Sequence, residues 1–317
     1  MKRTVVLLAL VACPRGKDRT IEPGSGSAAP ATVELPPAPP LPELPKGLPP
    51  ASPAVTPEAV AFGAALFADP HLSKSGKTSC ATCHDPAHGF SGARQNTDAG
   101  PPNLRRTSAL VNLAWKKEFG WDGRYSSLDE QLAKHVAGQL GQPIGDLSAD
   151  PTYAAHLARA KVTPEAALAA YVVTRYEGDS PWDREEGGPK GDHAAGYALY
   201  MGKAQCAVCH PPPLYTDGAY HRLGLIASHD EGRGRVDPKQ QGAFATATLR
   251  GAPRRPAFFH DGSAPSLDAA IDWHLAGGTG QGADPSIIDP ALKKVTLTPA
   301  EREQLGAFVR ALTKDAP

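Results

Sequence analysis

Methionine is nearly missing from this chain: Met1 and Met201 are the only two in 317 residues. Cysteine is almost as sparse. Four of the five cysteines lie in two short clusters, which leaves no pair for an ordinary structural disulfide. Neither sign of charge is in excess, with 33 basic and 33 acidic residues, so the basic surplus expected of a nucleic-acid binder is excluded. Aromatic residues make up only 6%, and no apolar run is long enough to span a bilayer. A chain so short of large side chains suits a protein in which a large bound group supplies apolar filling. Proline and glycine are plentiful, at 33 and 32, and predict long loops.

The N-terminus explains the fifth cysteine. Lys2 and Arg3 precede the short apolar run "TVVLLALVA", which reads as an export signal. The run ends in Leu10-Val-Ala-Cys13, similar to the bacterial lipobox, whose cysteine is lipidated and becomes the mature N-terminus. An ordinary signal peptide with an incidental cysteine is the alternative. Residues 1–13 are therefore read as a lipoprotein signal peptide. The expected location is periplasm-facing, with membrane contact only through a lipid anchor. Residues 14–56 are proline-dense and lack a helical or strand period. They read as a semi-rigid spacer reaching roughly 100 Å at about 3.1 Å per residue.

From residue 57 the pattern is helical. Thr56-Pro-Glu, Thr163-Pro-Glu and Thr298-Pro-Ala-Glu301 each place an N-cap before a proline at the first helical position, and the last has capping-box spacing. No run of alternating strands is evident, so the expected fold is all-α with long loops. Gly63-Ala-Ala-Leu-Phe67 and Gly196-Tyr-Ala-Leu-Tyr200 form a weak internal repeat, each leading into one cysteine cluster. The charged, glycine-rich stretch 177–192 predicts a boundary between two domains, 57–185 and 186–317.

The clusters are Cys80-Ala-Thr-Cys83-His84 and Cys206-Ala-Val-Cys209-His210. C-x-x-C-H is the attachment signal of a c-type haem: two thioethers to the porphyrin, with the adjacent histidine as proximal iron ligand. Zinc would need further ligands, and a thioredoxin-like pair has no need of the histidine twice. Two covalently bound haems are therefore expected. The second axial position of each iron decides function, because a strong ligand makes an electron carrier and an open site admits a small oxidant. Methionine is nearly excluded there, since Met1 leaves with the signal and Met201 lies on the approach to Cys206. His274 shares a helical face with Leu267, Ala270 and Ile271, which makes it a candidate iron ligand. His135 shares a face with Leu128, Gln131 and Leu132. It is a candidate ligand or acid–base catalyst, or else a surface or core histidine.

The stretches "LFADPHLSKSGKTSCATCH", "RRTSALVNLAW", "GWDGRYSSLDEQ", "GAFATATLRG" and "FFHDGSAPSLDAAI" together resemble the bacterial di-haem cytochrome c peroxidases and the related MauG-type enzymes. The resemblance implies two cytochrome c-like helical domains. Hydrogen peroxide would react at the N-terminal haem, and the C-terminal haem would relay electrons from a small donor such as a cytochrome c or a cupredoxin. It implies that Trp121 bridges the haems, that Gln131 lies in the distal pocket, and that His274 supplies the relay haem's axial ligand. His260 matches a further histidine near the haems, and a homodimer is possible.

Departures from the family pattern are equally specific. The family's catalytic glutamate falls at Gly141, beside Gln142, and neither can act as a carboxylate base. A family proline aligns with His135, which could take over proton handling or ligate iron. The family's calcium-binding asparagine step is Arg105-Arg106 here, with Arg255 near the second contributing segment, so calcium is not expected. The function implied is a di-haem peroxidase. The alternatives are a MauG-type enzyme oxidising residues of a partner protein and a non-enzymatic di-haem electron carrier.

Overall fold

The structure is a computed structural model that describes residues 33–51, 54–93, 104–185, 190–225 and 229–314. The signal segment and Cys13 lie outside the described residues. The helices are α1 (Pro57–Ala68), α2 (Cys80–Cys83), α3 (Leu128–Leu140), α4 (Pro151–Ala160), α5 (Pro164–Val173), α6 (Pro181–Arg184), α7 (Gly191–Met201), α8 (Leu267–Leu275) and α9 (Pro299–Ala311). The only strands among the described residues are a two-residue antiparallel pair, β1 (Tyr220–His221) and β2 (Phe244–Ala245). The chain is thus mostly helical, as its sequence predicts. No helix among the described residues is long and apolar enough to cross a membrane.

The caps form where the sequence places them. Thr56 and Thr163 accept the N–H groups of Ala59 and Ala166. Thr298 and Glu301 close a reciprocal capping box at the start of α9. Each supplies a partner for an amide that the first helical turn would leave unpaired.

Two cores result. In the first, α1 crosses α5 and buries Phe62, Leu66 and Leu168. In the second, α7 crosses α9 around Phe308, which is fully buried among the rings of Trp182, Tyr197, Tyr200 and Tyr215. Both crossings need glycine. A Cβ on Gly63 would lie 1.9 Å from the Ala167 carbonyl oxygen, and one on Gly196 would lie 2.1 Å from that of Gln304. The weak repeat therefore marks two equivalent helix crossings. Trp182, just before the expected boundary, packs against the second core.

The proline-rich spacer is not free over its described part. Arg159 donates to the carbonyls of Leu35 and Pro36, the Asp179 amide donates to Lys46, and Arg250 donates to Gly47. A proline-rich chain keeps its carbonyls available as acceptors, and the arginines of the body use them.

Candidate functional site

The first attachment motif opens on a capping box, in which Ser79 accepts the Thr82 amide and Thr82 accepts that of Ser79. This short turn presents Cys80, Cys83 and His84. His84 Nδ1 sits 3.2 Å from the Phe90 carbonyl oxygen. In the second motif, His210 Nδ1 sits 3.1 Å from the Tyr215 carbonyl oxygen. Phe90 and Tyr215 both adopt the left-handed conformation, with φ of 54° each, which is costly for bulky residues. The strain aims each carbonyl at a proximal ring. With Nδ1–H so engaged, Nε2 is left as the ligating atom.

Opposite each proximal ring stands a second imidazole. The ring centroids of His210 and His274 are 6.3 Å apart, and so are those of His84 and His135. Metal–imidazole bonds near 2.0–2.1 Å, with about 1.1 Å from ring centre to nitrogen, put two rings that share one metal about 6.3 Å apart. Burial lowers the pKa of all four histidines, taking His84 and His210 to about 4, so each ring is neutral at pH 7. Burial also raises Cys80 to about 11 and Cys206 to about 12, so both thiols are protonated at pH 7, and neither is in a disulfide. Thiols and neutral imidazoles in this arrangement fit a c-type haem at each motif.

The two second imidazoles are held differently. His274 Nδ1 lies 2.7 Å from the Ala270 carbonyl oxygen, one turn back on α8. The His135 ring, on α3, has no hydrogen-bond partner among the described residues. Met201 is 46% exposed and is thereby removed as a ligand. Gly141 is the left-handed C-cap of α3, and Gln142 donates to the Leu72 carbonyl, so neither stands in for a catalytic carboxylate. Gln131 lies one helical turn before His135.

A signal for His135 was present in the sequence and is easily missed. Trp121-Asp-Gly is followed by His135 fourteen residues later, and His260-Asp-Gly is followed by His274 at the same interval. The structure repeats too. Antiparallel bridges join Phe119 to Tyr125 and Phe258 to Ala264, and Ser127 and Ser266 then cap α3 and α8. His135 and His274 are equivalent positions of a duplicated unit.

A cavity lies around His210 and His274, and Arg106, Trp121 and His260 contribute to its lining. Trp121 Nε1 donates to the Arg106 carbonyl at 3.0 Å, and the Arg106 guanidinium lies over the Trp121 ring at 5.0 Å. The Arg106 amide donates to the His260 carbonyl at 2.7 Å. His260 is 2% exposed and stacks on Phe244. Arg105 pairs with Asp122 and Asp230.

The family model for di-haem cytochrome c peroxidases matches residues 57–190. The methylamine utilization protein MauG of Methylorubrum extorquens is 37% identical, with 81% of this chain and 79% of that protein covered. The chain belongs to the di-haem cytochrome c peroxidase and MauG family. Another member, the cytochrome-c peroxidase IdrP1 of Denitromonas iodatirespirans, is 31% identical over 92% of this chain and 90% of its own length. The fold is shared with a MauG-like protein associated with microbial copper homeostasis, at a TM-score of 0.76 and 24% identity, covering 86% of this chain and 95% of that one. Membership implies two covalently bound c-type haems, in agreement with the paired sites.

Proposed function

We propose that this di-haem protein reduces hydrogen peroxide to water, using electrons delivered by a small redox protein such as a cytochrome c or a cupredoxin. Each peroxide would take two electrons and two protons and leave as two waters. On this reading residues 57–185 form the peroxidatic domain and 186–317 the relay domain, and Cys13 anchors the chain on a periplasm-facing membrane surface. When bound, the haems supply the redox chemistry, and the chain's own residues control access, ligation and the path between them.

Cys80 and Cys83 would hold the first porphyrin, and Cys206 and Cys209 the second. His84, His210 and His274 would be firmly held ligands, because a backbone carbonyl faces the Nδ1 of each. Trp121 would bridge the halves. His135 is assigned as a detachable sixth ligand of the first iron. The observation that carries this is its 6.3 Å spacing from His84, the same as in the His210–His274 pair. The lack of a partner on its ring supports detachment. The rival role, acid–base catalysis beside an open iron, would not require that spacing.

The test is replacement of His135 by alanine in the holoprotein, followed by ferric optical and EPR spectra. Ligation predicts a change from low spin to high spin at one haem, and the high-spin signal should be consumed by peroxide. An unchanged spin state with lost turnover would return His135 to catalysis. A second reading, oxidation of residues of a partner protein, is favoured by the 37% identity to a MauG and by a histidine rather than a methionine at position 274. Product analysis after peroxide addition separates the two.

A further inference from the structure

Two buried arginines contribute to the lining of the relay cavity, and among the described residues no carboxylate pairs with either; Asp289, which also lines it, is bonded to His221. Arg106 is 3% exposed. Its Nε donates to the Phe259 carbonyl at 2.6 Å and its Nη1 to the Thr107 carbonyl at 3.1 Å. Arg255 is 6% exposed, and its Nη2 donates to the carbonyls of Thr248 and Arg250 at 2.7 and 2.9 Å. Neither makes an ion pair among the described residues. Their neighbours do: Arg105 has Asp122 and Asp230, Arg250 has Asp183, and Arg254 has Glu177.

This contrast calls for a cause. An isolated buried guanidinium is costly by several kcal/mol, and carbonyl dipoles solvate it without neutralising it. Here two such cations share one cavity and repel each other. Asp261 and Glu177 act on them only at a distance, and Glu177 is already paired with Arg254. The cavity surrounds the His210 attachment site, and a haem brings two propionate carboxylates. We propose that Arg106 and Arg255 are the counter-ions of the propionates of the relay haem, and that Arg106, lying over Trp121, also fixes that haem edge against the bridging indole. The inference rests on a haem at His210 and not on peroxide turnover.

A guanidinium beside a propionate offsets its charge and favours the ferrous state. In the full-length holoprotein, Arg106→Gln and Arg255→Gln should each shift the relay reduction equilibrium toward ferric by about tenfold, or 59 mV for one electron, in a spectroelectrochemical titration. Arg106→Lys keeps the charge and should shift it by less than about threefold. In wild-type protein, the resonance Raman propionate bending bands should lie where strongly hydrogen-bonded carboxylates absorb, and one should move in Arg106→Lys. Should the glutamine variants fail to accumulate, the Raman comparison decides alone. Gln variants with both haems attached and unchanged relay potentials would overturn the proposal, as would wild-type bands of freely solvated propionates. Failure of the wild type to consume peroxide would sink the peroxidase reading and leave this equilibrium measurement standing.

Discussion

Replacing Arg250 with methionine should destabilise the protein severely. The Arg250 side chain is 1% exposed and Asp183 is 4% exposed. Two charge-assisted bonds of 2.7 and 2.9 Å join them as a fork. Nε and Nη2 also donate to the carbonyls of Pro213 and Gly47, each at 2.8 Å, so one guanidinium ties α6, the loop after His210 and the proline strap together. Methionine fills the volume but leaves Asp183 a buried carboxylate held only by Ser180. Breaking a buried pair in this way costs about 3–5 kcal/mol, a large share of a typical total stability. The double variant with Asp183→Asn should recover part of that loss, with a coupling of about 2–3 kcal/mol. Burial alone would raise the Asp183 carboxyl, but Arg250 and Ser180 outweigh it and hold the group below its ordinary value. Its contribution is therefore present above the unfolded pKa of about 3.9 and is lost as pH falls through the lower folded value. Urea unfolding of the holoprotein, followed by circular dichroism at pH 7 and at stepped acid pH, measures both effects. The reasoning is refuted if Arg250→Met lies within about 1 kcal/mol of wild type, or if Asp183→Asn shows the same acid dependence as wild type.

Gly196→Ala should drive α7 off α9, since the new methyl would meet a backbone carbonyl at 2.1 Å, and Gly63→Ala should do the same to α1 and α5. We expect losses of at least about 1–3 kcal/mol in thermal or urea unfolding, with reduced haem retention. Calcium chelation should leave haem spectra and peroxide consumption unchanged, because the Arg106 guanidinium already engages the carbonyls of Phe259 and Thr107. A chelator-induced spectral change would contradict this.

Local signals carried much of the architecture. The Thr-Pro starts of α1, α5 and α9 each fix a cap within four residues, so the sequence reveals them without tertiary knowledge. The attachment motifs are equally local, and the apolar face of α8 marked out His274, whose ring faces His210. What stayed hidden depends on distant partners. That Arg159 and Arg250 would seize the proline strap requires positions far apart in sequence. The carbonyls of Phe90 and Tyr215 serve the proximal histidines through backbone geometry, which residue identity barely records. The two candidate roles of His135 could not be separated by helical periodicity, which marks a face and says nothing of what lies opposite. The duplicated fourteen-residue interval would have pointed to its equivalence with His274.

The central claim is that one of the two covalently held haems can be reached by peroxide. The direct test is a peroxide titration of half-reduced full-length protein, read by optical and EPR spectra. The account predicts a high-spin ferric signal at the His84 haem that disappears as roughly one equivalent of peroxide is consumed. A protein that carries both haems, stays wholly low-spin after half-reduction and leaves peroxide untouched would contradict it.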